Sequence, residues 1–235
     1  PTLFLKIAVF FSGAVWLVLN YLDNQGYDYP LVKLKYRLLL LILPLVVAEF
    51  LVQFLHFLEM DPDVITSCCG SLFSADSEGV AAEVSGLAPA SAMLALYGSG
   101  IAVLGGGAWY GLRGSGGVLF AVLSGIAFIV ALLAIVSYLS LYIYEHPHHH
   151  CPFCILKSGH GYAGYVLYIP LFIATALGLG AGVIAPWKKL PSLAEAAARD
   201  APRLTWLAVS LFVLFYLAAT WLVMGSSLTM RGVWW

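Results

Sequence analysis

The residues able to do chemistry crowd into one stretch, Glu145-His146-Pro147-His148-His149-His150-Cys151-Pro152-Phe153-Cys154-Ile155-Leu156-Lys157-Ser158-Gly159-His160, which holds five of the six histidines and two of the four cysteines. A Cys-x-x-Cys spacing supports two chemistries, because the thiolate is both the nucleophile of disulfide exchange and a ligand for soft metals. The motif reads as the opening of a helix, where unsatisfied amides and the positive end of the dipole favour thiolate. Ile155 follows Cys154 where the haem-attachment pattern of c-type cytochromes requires histidine. The neighbouring histidines titrate near neutrality, so they can carry protons, bind Zn or Cu, or form a solvated polar loop. His146, His148, His149, His150, Cys151, Cys154 and His160 are therefore candidate metal ligands.

The second cysteine pair, Cys68-Cys69, lies in Thr66-Ser67-Cys68-Cys69-Gly70-Ser71. Adjacent Cα atoms are about 3.8 Å apart, whereas ordinary disulfides span roughly 4.4–6.8 Å. Cys68 and Cys69 are thus expected to exchange with Cys151 and Cys154, or to join them as metal ligands.

Membrane helices must position these groups, because 62% of the residues are hydrophobic and only 10% are charged, against roughly 45–50% and 25% in soluble domains. The chain reads as an all-α integral membrane protein in one domain. Its six transmembrane helices fall near residues 3–22, 35–58, 92–111, 117–143, 161–185 and 204–224, each long enough for a hydrocarbon core that takes about 20 residues to cross. The first span lacks a small-residue cleavage pattern and reads as a retained helix. A net charge of −1 with no basic patch excludes a nucleic-acid partner.

Lys33, Lys35, Arg37, Arg113, Lys188, Lys189, Arg199 and Arg203 make eight of the eleven basic residues and fall on one side of these spans. The positive-inside rule makes that side cytoplasmic. Both termini, the acidic loop 60–90 and the Cys/His loop 145–160 then face the opposite compartment, read as the periplasm of a bacterial inner membrane. All four cysteines, all six histidines and Met60, Met93, Met224 and Met230 fall on that side.

Within the spans, Glu49, Gln53, His56 and Met60 step by 4, 3 and 4 and share a helical stripe, expected to be a proton route or a polar wall leading to the outer cluster. Tyr138 and Tyr142, with Glu145, form either an aromatic belt or one wall of a flat-ligand pocket, and Tyr162, Tyr165 and Tyr168 could flank the same ligand. The glycines of the third span, from Gly98 to Gly111, predict close packing of the third and fourth spans. Residues 192–200 read as a short helix of their own, capped by Ser192 with Glu195 in the capping-box position.

Cys151-Pro152-Phe153-Cys154-Ile155-Leu156 resembles the Cys-Pro-Leu-Cys-Ile segment of the DsbB family of disulfide-forming membrane proteins. The order of spans 2 to 5 is similar to the vitamin K epoxide reductase family, with its four-helix bundle, shuttle cysteines in an outer loop and active-site Cys-x-x-Cys at the last helix. The resemblance implies that Cys151 and Cys154 are an active-site pair facing a quinone, and that Cys68 and Cys69 relay electrons from an outside thiol protein. It covers the topology of residues 35–185 and about six residues of motif. Ser158 stands where the DsbB pattern has arginine, the shuttle cysteines are adjacent rather than separated, and neither family is expected to carry the His-Pro-His-His-His run.

Three functions stay open at this stage. One is a quinone-coupled thiol-disulfide oxidoreductase, with Cys151, Cys154, Cys68 and Cys69 catalytic and Glu49, Gln53, His56, Tyr138, Tyr142, Tyr162 and Tyr165 around the quinone. Another is a copper- or zinc-handling protein served by a metal chaperone, with His56 among its ligands. The third is a subunit docked among neighbouring membrane subunits of a redox complex, with haem b between His56 and His160.

Overall fold

The computed structural model describes residues 2–59, 87–147, 149–230 and 233. Six helices are long and apolar enough to cross a membrane: α1 (Thr2–Asp23), α2 (Val32–Leu58), α3 (Pro89–Arg113), α4 (Gly117–Tyr144), α5 (Ala163–Ile184) and α6 (Ala194–Met224). No strand occurs among the described residues. A π-helical turn, Ile135–Leu139, interrupts α4, and α5 runs into a 3-10 turn at Ala185–Lys189.

α3 packs on α4, α4 on α5, α5 on α6 and α6 back on α3, so these four close a ring. Its interior is filled by Phe120, Ala127, Leu167, Leu171, Ala174 and Phe212, all fully buried. The resemblance implied a bundle of the second to fifth spans; the ring is built instead from the third to the sixth. α1 lies outside against α5, parallel to it, with Phe11 stacked on Phe172 at 5.7 Å and Val18 beside Gly180. α2 packs chiefly along α1 and exposes Leu40, Leu41, Phe50, Leu55 and Leu58. Without water to exclude, an apolar helix face gains little by leaving lipid, so close contact comes from shape and small residues.

The third-span glycines serve mainly a different partner from the one expected. Cβ atoms at Gly100, Gly107 and Gly111 would meet Tyr216, Val209 and Trp206 of α6, whereas Gly106 meets α4 at Leu123 and Gly107 meets it as well, at Phe120. The α4–α5 crossing depends on Gly182, where a Cβ would come 2.3 Å from Ala121 Cβ and 2.7 Å from the Gly117 carbonyl oxygen. Residues 192–200 are no separate helix either, for α6 is continuous from Ala194 and its N-cap position is Leu193, with no side-chain cap. Pro202 sits inside it without ending it. The alanine-rich first turns favour helix, and buried Ala197 and Ala201 fasten them to the bundle.

The alternating helices leave two unlike ends. At one end Asp23, fully buried, pairs with Lys35 at 2.8 Å and accepts the Leu31 N–H at 2.7 Å. Asp200 pairs with Arg199 at 2.8 Å, and Lys188 leans over Tyr110. The eight basic residues singled out in the sequence all belong to this end. The opposite end gathers the N-termini of α1, α3 and α5, the C-termini of α2, α4 and α6, and the Cys/His loop.

Candidate functional site

Two helices hold the Cys/His loop across the end of the ring. α4 stops at Glu145, whose left-handed backbone (φ 53°) turns the chain out of the helix. The Glu145 carboxylate accepts the Ser227 N–H at 2.7 Å, and Ser226 Oγ donates to the Tyr142 carbonyl at 2.8 Å, so the segment after α6 is tied to the start of the loop. On the far side the chain is extended at Lys157, then left-handed at Gly161 and Tyr162, before α5 begins at Ala163.

That geometry corrects the sequence reading of the motif. Cys154–Leu156 is a single 3-10 turn, and α5 starts only at Ala163. The motif therefore does not form the opening turn of α5. The Lys157 and Gly161 conformations cannot propagate a helix, which is why it starts late.

Cys151 and Cys154 are buried, 2% and 3% exposed. Their backbone is gripped by two tyrosine hydroxyls that no sequence pattern marked for this role. Tyr144 Oη, on the last turn of α4, donates to the Cys151 carbonyl, and Tyr168 Oη of α5 donates to the Pro152 carbonyl at 2.8 Å. Tyr168 lay among the tyrosines expected beside a ligand, but its bond to the motif depends on the fold. Tyr144 also organises the histidines: His149 meets its ring edge-on with centroids 4.1 Å apart, and His160 does so at 4.6 Å. His150, 8% exposed, reaches the carbonyl of Val136 through Nδ1 at 3.0 Å.

Burial first, and then the neighbouring His160, His146 and His150, hold the His149 imidazolium below the ordinary histidine range. Its Nε2 is buried with no hydrogen-bond partner among the described residues. A depressed histidine favours the neutral folded form, so stability is full above the unfolded value of 6.5 and declines as pH falls below it toward the folded value. We expect the detergent-solubilised protein to melt at progressively lower temperature as pH falls from about 6.5, and His149→Phe to flatten that slope. Equal slopes in the two proteins would refute this.

The other predicted groups are dispersed. Tyr138 and Tyr142 lie inside the bundle, 0% and 1% exposed, edge-to-face at 5.3 Å. Tyr162 and Tyr165 face outward, 55% and 50% exposed, so the four tyrosines share no wall. Glu49 is paired with Lys6 of α1 at 2.6 Å, which satisfies the charge within the span. Gln53 and His56 lie with it on α2, across α1 from the ring, and His56 is exposed. Glu49, Gln53 and His56 do share one stripe of the continuous helix α2. Cys68, Cys69, His148 and Met60 lie outside the described residues. Among the described residues, no group of three or more histidine, cysteine or carboxylate side chains is placed to hold a metal ion.

Beside the loop, an open cleft of about 540 Å³ runs between α5 and α6. Ala163, Val166, Leu217 and Trp221 give it apolar sides, and His160 stands in its lining. A continuous set of contacts leads from this cleft through His160 and Tyr144 to the Cys151 backbone. The chain matches no family model, no curated protein and no solved structure.

Proposed function

We propose that the protein is a membrane thiol-disulfide oxidoreductase that uses Cys151 and Cys154 and exchanges electrons with a lipid-soluble quinone. The observation that carries this reading is the buried cysteine pair, fixed at the end of the bundle by Tyr144 and Tyr168 and joined through His160 to an apolar cleft open along α5 and α6. An isoprenoid quinone enters from the bilayer, so its site needs an apolar, lipid-facing wall with a few polar groups at the head. In the proposed cycle the Cys151 and Cys154 thiols give up two electrons and two protons as their S–S bond forms. Those electrons and protons reduce quinone to quinol. A thiolate of an external dithiol protein then attacks the new disulfide, forms a mixed disulfide and resolves it, which regenerates both thiols. The positive-inside rule puts this chemistry on the non-cytoplasmic face, since the basic residues belong to the opposite end; in a bacterium that face is the periplasm.

The test is quinone-dependent oxidation of a dithiol peptide by the purified protein in lipid nanodiscs, with elemental analysis of the same sample. We expect Cys151→Ser and Cys154→Ser each to abolish turnover and one of them to accumulate the mixed disulfide. Stoichiometric copper or zinc, together with dithiol oxidation that is indifferent to both substitutions, would replace this reading with metal handling.

A further inference from the structure

The π turn of α4 lies within hydrogen-bond reach of the Cys/His loop. In such a turn an N–H reaches five residues back, as the Ser140 N–H does to the Ile135 carbonyl, and the regular four-back ladder is broken; π turns are rare and recur at functional sites. Here the carbonyl of Val136, inside the turn, collects two side-chain donors, Ser140 Oγ at 2.8 Å and His150 Nδ1 at 3.0 Å. A carbonyl can only accept, so Nδ1 carries the hydrogen and the neutral ring keeps its lone pair on Nε2. The bond joins residues 14 apart in the chain, and the residue next to His150 is buried Cys151. Tyr144 and Tyr168 grip main-chain carbonyls beyond that point, so His150 is the anchor on the N-terminal side of the cysteine pair.

We propose that His150 is a positioning residue for Cys151: its Nδ1–H, taken up by the Val136 carbonyl within the π turn, seats the cysteine pair in its buried place. The functional weight of this inference rests on the thiol-disulfide reading, but its geometry does not. Ser140 and Ser137 satisfy carbonyls of their own helix, at Val136 and Leu133. The histidine ties the π turn to the loop.

Two substitutions separate positioning from mere bulk. In His150→Asn the amide nitrogen falls near the place of Nδ1 and can still donate to Val136. In His150→Gln it reaches toward the place of Nε2 and the bond is lost. The readout is the rate at which N-ethylmaleimide alkylates Cys151 in the solubilised full chain, resolved by mass spectrometry, together with the equilibrium of the pair in glutathione buffers. We expect the Gln variant to react on the order of tenfold faster and to shift its glutathione equilibrium, and the Asn variant to stay within about twofold of the unmodified protein, since access and local geometry set thiol reactivity. Equal rates in the two variants would overturn the proposal. A second measurement needs no folded variant: ¹⁵N-histidine NMR of the unmodified protein should show His150 as the Nδ1–H tautomer, and the Nε2–H tautomer would overturn it. Neither readout uses quinone or a partner thiol, so loss of quinone activity with these results intact would count against the oxidoreductase reading alone.

Discussion

Gly182→Leu is expected to abolish the folded bundle. Even a Cβ at this position would lie 2.3 Å from Ala121 Cβ and 2.7 Å from the Gly117 carbonyl oxygen, and the second of these is backbone that no rotamer change can move. Overpacking of a close-packed interior commonly costs about 1–3 kcal/mol, and more where backbone is the obstacle. Here it would force apart the two helices that carry the loop. The measurement is size-exclusion chromatography of the detergent-solubilised variant, with loss of the monodisperse peak as the expected outcome. Gly125→Leu is the control, because nothing lies within 4 Å of a Cβ built there, and it should elute as the unmodified protein does. If the Gly182 variant elutes normally, the α4–α5 crossing is not as close as described.

Lys35→Met is expected to produce the largest loss of stability from a single charge. It would leave the Asp23 carboxylate, fully buried, with the Leu31 N–H but without the ammonium now 2.8 Å away. Breaking one side of a buried ion pair typically costs about 3–5 kcal/mol, because the remaining charge is neither paired nor hydrated. A thermal melt in detergent should show this as a large drop in the midpoint. Adding Asp23→Asn should restore most of it, since the amide oxygen can still accept the Leu31 N–H and no buried charge remains. If the double variant melts no higher than Lys35→Met, the pair is not what holds the α1–α2 turn. Asn20 also accepts from Lys35, at 3.0 Å, so part of the loss in the single variant comes from that bond.

The helices were legible in the sequence because the bilayer demands them. Any run that crosses hydrocarbon must satisfy its backbone internally, so length and apolarity suffice to place all six, with only the start of the sixth falling well short of the helix that begins at Ala194. Which helices touch was not legible. In α2 the apolar residues surround the axis, and lipid accepts every face alike, so no periodicity reveals that α1 is the described helix packed closely against it. The third-span glycines announced a close approach but not the partner, since α4 and α6 both border α3. Residues 192–200 misled through local rules, Ser192 as a cap and Glu195 in the capping-box position, which tertiary packing of Ala197 and Ala201 outweighed. Of the site, the Cys-x-x-Cys and its histidines announced themselves by residue type. The anchors did not, because tyrosine near the end of a span is ordinary interfacial composition, and a hydroxyl-to-carbonyl bond has no sequence signature. Nor does a π turn whose purpose depends on a histidine in the following loop.

Because the Cys151 region is fixed to residues separated by 7, 14 and 16 positions in the chain, its assembly is a local event. The α4–α5 hairpin contains every one of these partners, so during synthesis the seat for the cysteines is complete as soon as α5 has entered the membrane. The ring, by contrast, closes through α3 and α6, and must wait for the last helix. Local contacts carry little loop-closure entropy and form early. These three anchors of the cysteine pair are therefore in place before the bundle is finished, and the arrival of α6 adds the second wall of the cleft.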